Sequence, residues 1–290
     1  MNSKLILYFG LLLTTAVWGG SFVVMKDSLE KQDVISFLST RFILAAILML
    51  AYKPKALIGL GRKLWLRATL LGILLAAGFI FQSVGLTKTT VSSTGFITGL
   101  YLVFTPIISW FLLRRKVLKL QLLAVISATI GLYLIAYNGI AFGFGEILVL
   151  ISAIIFALQI VALGEWSDGK NAYQLTLIQI LVSAIIFVLI SLRDGYQIPP
   201  DNSVWFAVIF TAVFATFIGF LIQVKAQAVM TATSAGVVLA MEVPFAFMFG
   251  LYFDNDPLTF RIASGGILVM LAMAMVIFSD RVKSKQINHE

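Results

Sequence analysis

The stretch Ala232–Phe249 reads ATSAGVVLAMEVPFAFMF, is apolar over nearly the length of a membrane span, and carries one carboxylate, Glu242, near its middle. Pro244 follows two residues later and has no backbone N–H, so it should break the hydrogen-bond ladder of the helix at that depth. A charge in the hydrocarbon core costs at least roughly 2.5–3.5 kcal/mol on insertion scales. The carboxylate therefore predicts either a polar partner or a functional use.

A second stretch, Val91–Ile108, matches the first at an offset of 141 residues. Tyr101 occupies the place of Glu242, and the identical pairs are Ser93 with Ser234, Gly95 with Gly236, and Phe104 with Phe245. Gln82 falls on Gln223 at the same offset, and at an offset of 138 residues Ser21 falls on Gln159 and Arg41 on Gln179. The sequence therefore predicts two repeats, residues 1–138 and 139–290.

The composition is that of an integral membrane protein. Of 290 residues, 60% are hydrophobic and only 12% are charged, whereas a soluble domain has about 25% charged residues. The apolar residues come in runs of about twenty, the length that crosses a bilayer as a helix. Because the chain has no cysteine and its one histidine, His289, lies in the polar tail, we expect no disulfide, no metal site and no cofactor.

Ten membrane-spanning helices are predicted, which makes the expected fold class all-α. The first, around Leu5–Val24, is too long for a signal-peptide core. The predicted spans are 5–25, 34–52, 67–86, 92–113, 118–137, 145–163, 173–192, 204–225, 232–253 and 259–279.

The distribution of Lys and Arg predicts the orientation. With the N-terminus inside, the cytoplasmic segments carry 15 of these residues and the outer segments carry 5. By the positive-inside rule both termini are then cytoplasmic, and the net charge of +8 reflects orientation rather than nucleic-acid binding. Five spans per repeat make the second copy enter the membrane inverted. Accordingly, Arg114-Arg115-Lys116 in the first half corresponds to Asn255-Asp256-Pro257 in the second.

Several intramembrane polar residues allow a structural and a functional interpretation. Glu242 is either a buried carboxylate satisfied by a neighbouring polar side chain, or a proton site or partner of a substrate amine. Arg41 either extends to the outer interface along its own stem or pairs with a substrate carboxylate. Trp18 is either an interfacial anchor or a cavity wall.

The intramembrane amides and glycines have similar alternatives. Gln82, Gln159, Gln179 and Gln223 can form interhelical hydrogen bonds, and Gln82 and Gln223 are the two favoured as cavity residues. Gly95 and Gly236 are expected to serve close helix packing. Glu146 is interpreted as a charge at a helix N-terminus.

Four segments together resemble the EamA family of the drug/metabolite transporter superfamily. They are Trp18-Gly19-Gly20-Ser21-Phe22, Arg41-Phe42, the run from Ser93 to Tyr101 through Pro106, and Met241-Glu242-Val243-Pro244-Phe245-Ala246. The resemblance implies a ten-span carrier of amino acids or other small metabolites, often an exporter, in a bacterial inner membrane. It also implies a central cavity lined by the third, fourth, eighth and ninth spans, with the first and sixth beside it.

The sequence and the resemblance together predict a secondary transporter that exports a small organic metabolite by alternating access, with proton coupling. A facilitative carrier without ion coupling is the alternative, and a membrane enzyme or a channel fits less well because catalytic clusters and pore-long polar rings are missing. We expect the bilayer, a small solute and protons as partners, no nucleic acid, and a monomer or homodimer. The expected substrate-binding residues are Trp18, Ser21, Arg41, Gln82, Thr98, Tyr101, Gln159, Gln223 and Glu242.

Overall fold

The computed structural model describes residues 3–89, 91–114, 117–136, 143–253 and 260–287. Every regular element in these ranges is helical, which confirms the all-α prediction. The elements are α1 (Ser3–Leu29), α2 (Val34–Tyr52), α3 (Arg62–Leu86), α4 (Val91–Gly99), α5 (Tyr101–Leu113), α6 (Lys119–Ala136), α7 (Phe144–Trp166), α8 (Ala172–Asp194), α9 (Asn202–Phe210), the π-helix π1 (Thr211–Ile218), α10 (Gly219–Gln227), α11 (Ala232–Leu239), α12 (Glu242–Phe253) and α13 (Phe260–Ile287).

Each predicted span coincides with one of these helices or with a consecutive set of them. Eight are long and apolar enough to cross a membrane: α1, α2, α3, the α4–α5 pair, α7, α8, the run from α9 to α10, and the α11–α12 pair. The apolar parts of α6 and α13 within the described residues, Lys119–Gly131 and Ala263–Met275, are shorter. The chain is a multi-pass membrane protein, and eight of its ten predicted spans meet this length criterion.

Both copies of the repeated stretch are interrupted at matching places. The first copy divides into α4 and α5 at Leu100. The N–H of Leu100 bonds back three residues to the carbonyl of Ile97 at 3.1 Å. In the second, the N–H of Met241 bonds back three residues to the carbonyl of Val238, also at 3.1 Å. A regular α-helix bonds back four residues, so the helix tightens at both points.

Pro244 accompanies the interruption in the second copy, as the sequence predicted, whereas the first copy has Val103 at the equivalent place and is interrupted without a proline there. Pro244 has no N–H to donate to the carbonyl of Ala240, four residues earlier, and that carbonyl accepts from the N–H of Val243 at 3.2 Å instead. Pro244 itself lies in the first turn of α12, a position where helices tolerate proline. The new helix therefore begins at Glu242.

The two interrupted helices pack on each other through small residues. A Cβ added to Gly95 would lie 3.9 Å from the Cβ of Ala246, and one added to Gly236 would lie 3.5 Å from Oγ1 of Thr105. The two contacts are reciprocal, because the offset of 141 residues relates Gly95 to Gly236 and Thr105 to Ala246. Both glycines therefore lie in this helix contact, as expected, at distances that are ordinary van der Waals contacts for a methyl group.

The remaining helices surround this pair. α1 lies against α12, α10 and π1, α3 lies against α7 and α8, and α2 lies against α8 and π1. At Gly19, α1 approaches α12 so closely that an added Cβ would lie 2.6 Å from the carbonyl oxygen of Glu242. The helices α6 and α13 pack mainly on each other and also contact the interrupted helices; the Ser127 hydroxyl donates to the carbonyl of Leu268 at 3.1 Å.

One end of the bundle is held by contacts between two connections, α1–α2 and α8–α9. The ammonium of Lys31 donates to Asp201 at 3.1 Å and to Ser203 at 2.7 Å. The Gln32 amide donates to the carbonyl of Gln197 at 2.6 Å. These bonds join the first half of the chain to the second half. The residues behind the predicted charge reversal, Arg115, Lys116 and 254–259, lie outside the described ranges.

Candidate functional site

A small cavity lies at the level of the two helix interruptions, with a volume of about 70 Å³. All nine residues expected from the sequence to bind substrate line it. They come from the first, second, third, fourth, sixth, eighth and ninth predicted spans, so the structure adds the second span, through Arg41, to those the resemblance implied. Seven further residues complete the wall: Phe22, Met25, Phe79, Phe156, Ile160, Phe220 and Leu239.

Glu242 and Tyr101 both line the cavity, and each is the first residue of the second half of an interrupted helix. Glu242 is 6% exposed and Tyr101 is 4% exposed. The phenol and the carboxyl group are close enough to interact electrostatically, but the Tyr101 hydroxyl meets no hydrogen-bond partner in good geometry. Glu242 forms no ion pair with a residue in the described ranges.

Arg41 is buried and lies in the cavity wall rather than extending to the outer interface. Its Nε donates to Oγ1 of Thr216 at 2.8 Å, and its Nη1 donates to the sulfur of Met25 at 3.3 Å. Its guanidinium lies 4.9 Å from the ring centroid of Phe79 and 5.5 Å from that of Phe42. The cavity wall thus contains one fixed cation and, at Glu242, one acidic group.

Three glutamines contribute amide groups to the wall, and two of them join it to other helices. Gln82 donates to the Thr98 hydroxyl at 3.1 Å, which joins α3 to α4. Gln159 donates to Gln179 at 3.3 Å, which joins α7 to α8, and Gln179 itself does not line the cavity. Gln223 donates to Gln227, one turn along α10, at 3.1 Å, while its own carbonyl oxygen is buried without a partner. Gln223 therefore has an acceptor that no described residue uses.

Trp18 forms part of the cavity wall. Of its two sequence interpretations, the cavity wall agrees with the structure and the interfacial anchor does not. Its Nε1 donates to the backbone carbonyl of Ala215 in π1 at 2.8 Å, and its ring lies 5.3 Å from that of Phe220. Ser21, one turn further along α1, donates to the carbonyl of Val17 at 2.7 Å. Its hydroxyl oxygen retains lone pairs for a further donor.

The cavity is too small in this structure to hold an organic solute. Ligand pockets typically enclose about 300–1,000 Å³, and about 70 Å³ has room for only a few water molecules. A solute can bind here only when the surrounding helices move apart.

Sequence reasoning missed the apolar part of the wall. Phe22, Phe79, Phe156 and Phe220 line the cavity, but the chain contains 24 phenylalanines, and most offer no distinguishing signal. Phe22 follows Ser21, and the position of Phe79 one helical turn before Gln82 was an available clue, since both then lie on the same helix face.

Glu146 lies outside the cavity, and its interpretation as a helix N-terminal charge is confirmed. Its carboxylate accepts a hydrogen bond from the N–H of Gly143 at 3.0 Å and another from the Thr89 hydroxyl. The first of these bonds caps α7, so Glu146 is committed to fixing the end of that helix.

Comparison with known proteins gives results consistent with this geometry. The sequence profile described as the EamA-like transporter family matches residues 5–137 and again residues 143–278. An uncharacterized transporter of Archaeoglobus fulgidus is 30% identical over 268 residues, which cover 92% of this chain and 84% of the relative. A second protein of the same description and organism is 24% identical over 285 residues, covering 93% of this chain and 96% of that one.

A solved structure titled "Crystal structure of protein" aligns with 97% of this chain and 98% of its own, with a TM-score of 0.77 and 14% identity. At that identity the likeness concerns the fold alone.

Proposed function

This chain belongs to the EamA-like transporter family, within the drug/metabolite transporter superfamily, and we propose that it exports small organic metabolites such as amino acids by alternating access. The observation that carries the proposal is one cavity with Arg41 and Glu242 in the same wall. A cation and an acid that form no ion pair with described residues suit a solute with a carboxylate at one end and an amine at the other.

The rest of the wall supports a solute with an apolar side chain. All seven wall residues that the sequence did not predict are apolar, and four of them are phenylalanines. Aromatic faces suit aliphatic groups, rings and cations. The carbonyl oxygen of Gln223 and the hydroxyl of Tyr101, both residues of the wall, have no hydrogen-bond partner in good geometry among the described residues. Such acceptors favour an ammonium group.

Alternating access is proposed to arise from two inverted five-span repeats, residues 1–138 and 139–290. Three observations support it: the family profile matches each half once, the interruptions occur at matching positions, and the Gly95–Ala246 and Gly236–Thr105 contacts are reciprocal. Inverted repeats commonly place the binding site at their interface near the midplane. We place ten spans in the cell membrane with both termini cytoplasmic, as a monomer or homodimer.

Proton coupling is proposed through Glu242. In one access state the carboxyl group carries a proton and faces Tyr101, and in the other it is ionised or paired with the substrate amine. The supporting observation is a buried acidic group at a point where the helix is already interrupted. A facilitative carrier with the same cavity is the second candidate, and it differs in showing no dependence of flux on a pH gradient.

The function is tested by comparing metabolites in the medium of cells with and without the protein, followed by flux of whatever changes in proteoliposomes. Accumulation of a zwitterionic metabolite outside the expressing cells, with flux driven by a pH gradient, is the expected result. Flux unaffected by the gradient supports the facilitative carrier, and unchanged media together with no flux of any amino acid contradict the proposal.

A further inference from the structure

The guanidinium of Arg41 has two differently satisfied edges. On one edge, Nε donates to the hydroxyl of Thr216 at 2.8 Å. Thr216 is fully buried in π1 and does not belong to the cavity wall, so this bond holds the guanidinium from behind. It is a strong type of contact, because a hydroxyl oxygen is a good acceptor and the donor is charged.

The other edge lies at Met25, a residue of the cavity wall, and is poorly satisfied. Nη1 donates to the sulfur of Met25 at 3.3 Å, and a thioether is only a weak acceptor. None of the described residues accepts a hydrogen bond from Nη2 or forms an ion pair with Arg41. A buried cation that lacks an anion is costly, and an oxygen-bearing ligand on this edge would remove the deficit.

The π-helix positions the anchoring group. Residues Thr211–Ile218 depart from α-helical geometry within the eighth span, and two of them bond to cavity residues: Ala215 through its carbonyl to Trp18, and Thr216 through its hydroxyl to Arg41. π-Helical turns within α-helices are frequent at functional sites. Here the turn connects the eighth span to side chains from α1 and α2.

We propose that Arg41, Met25 and Thr216 form a carboxylate subsite, in which Thr216 is a positioning residue. It holds Nε, so that the edge formed by Nη1 and Nη2 stays directed into the cavity. A planar carboxylate binds that edge through two parallel hydrogen bonds, and the Met25 sulfur gives way to one of its oxygens. The subsite rests on the proposed function and specifies its substrate class as solutes that carry a carboxylate.

A purely structural role for the Arg41–Thr216 bond makes a different prediction. If the bond only joins α2 to π1, its loss weakens the fold and reduces the binding of every ligand alike. A positioning role affects only ligands that have a carboxylate. The two roles are therefore separated by comparing amino acids with the amines that lack that group.

The test uses the full chain in lipid nanodiscs and measures the ligand-dependent rise in melting temperature. The probes are L-alanine, L-leucine and L-phenylalanine, each paired with ethylamine, isopentylamine or 2-phenylethylamine. We expect at least one amino acid to bind at least about tenfold more tightly than its amine, which is the loss typical of one hydrogen bond to a charged group. Thr216→Val should remove about tenfold of amino-acid affinity and leave amine affinity unchanged, and Thr216→Ser should restore it.

Thr211→Val is the matched control, because its hydroxyl is equally buried in π1 but donates to Ala207 in its own helix. Thr211→Val should bind both the amino acid and the amine of each pair as the wild type does. In an Arg41→Gln background, Thr216→Val should have no further effect on carboxylate affinity, since the two residues act as a unit.

Three results would overturn the subsite: no stabilisation by any amino acid, equal affinity for amino acid and amine, or an equal loss of both in Thr216→Val. These experiments measure binding. The binding predictions can therefore fail while proteoliposome flux and its dependence on Glu242 are still observed. The subsite can then be rejected without rejecting the transporter.

Discussion

Replacing Gly19 with alanine places a methyl group inside the contact between α1 and the start of α12. The new Cβ would lie 2.6 Å from the backbone nitrogen of Ala246, 2.6 Å from the carbonyl oxygen of Glu242 and 3.0 Å from the Cβ of Phe245. The two shortest contacts are with backbone atoms, which cannot rotate away as a side chain can. The helices must therefore separate at the depth of the cavity.

The size of the effect follows from these distances. Ordinary van der Waals contact begins at 3.4 Å, so the methyl group is 0.8 Å too close to each backbone atom. Overpacking of this kind costs about 1–3 kcal/mol, whereas alanine gains up to about 1 kcal/mol over glycine in helix propensity. Overpacking prevails, and we expect Gly19→Ala to lower the free energy of unfolding by about 1–2 kcal/mol and to reduce flux by displacing Glu242.

The adjacent glycine is a matched control for this experiment. In Gly20→Ala the nearest atoms belong to the ring of Phe249, at 3.2–3.5 Å, and a ring can tilt by a few tenths of an ångström. Melting temperature in detergent and flux in proteoliposomes should both fall for Gly19→Ala and change little for Gly20→Ala. A Gly19→Ala protein that melts at or above the wild-type temperature with normal flux would refute the close-contact reasoning.

Two further predictions concern orientation and the π-helix. With single cysteines introduced into this cysteine-free chain, an impermeant reagent added outside the cell should label Asn202→Cys and not Ser284→Cys; the reverse pattern contradicts cytoplasmic termini. Trp18→Phe keeps an aromatic ring in the wall but leaves a buried backbone carbonyl without its donor, so it should cost about 1–3 kcal/mol of stability. Melting curves should show this loss and no comparable loss for Trp205→Phe, whose side chain is 39% exposed; equal melting of the two variants argues against the bond.

The polar part of the cavity could be predicted because hydrocarbon tolerates few alternatives. A polar group at membrane depth must face other protein or a cavity, and the repeat showed which polar residues share a depth. Glu242, Gln82 and Gln223 were assigned to a cavity for these reasons, and they line it. An interruption near Glu242 was expected from the missing N–H of Pro244, whereas the matching interruption in the first copy, with Val103 in the place of the proline, has no such local signal.

The apolar part could not be predicted, because a phenylalanine ring suits lipid and a cavity wall equally well. Phe79 and Phe156 line the cavity, whereas Phe9 and Phe111 are exposed on the bundle surface. The ring itself gives no distinction, and the local signal is a glutamine three residues after each of the first two. The glutamine marks the polar face of the helix, and the packing of helices distant in sequence then decides whether that face lines the cavity.

The π-helix and the final direction of Arg41 also depend on tertiary contacts. The stretch Thr211–Ile218 reads TAVFATFI and contains no proline or glycine to announce irregular geometry. The stem of Arg41 can reach the interface or the cavity, and the bond to Thr216 in a distant span decides the outcome. Neither the π-helix nor the direction of the Arg41 side chain can therefore be read from local sequence propensity.

The ion pair between Lys31 and Asp201 on the surface of the bundle does not titrate in the pH range where the flux is to be measured. Hydrogen bonds from the Ser203 hydroxyl and the Val204 N–H, together with the Lys31 ammonium, hold the pKa of the Asp201 carboxyl well below its usual range. A lowered pKa means that the carboxylate contributes to stability throughout neutral pH and loses this contribution only in acid. Any change in flux near neutrality must therefore have another origin.

Flux through Glu242→Gln as a function of pH tests the central claim most directly. The substitution keeps the size and hydrogen-bonding capacity of the side chain but removes its ability to ionise. In proteoliposomes that contain equal amounts of folded protein, we expect flux to fall severely and to lose its pH dependence, with the melting temperature close to that of the wild type. Near-normal, pH-sensitive flux in Glu242→Gln would contradict the role assigned to this carboxyl group.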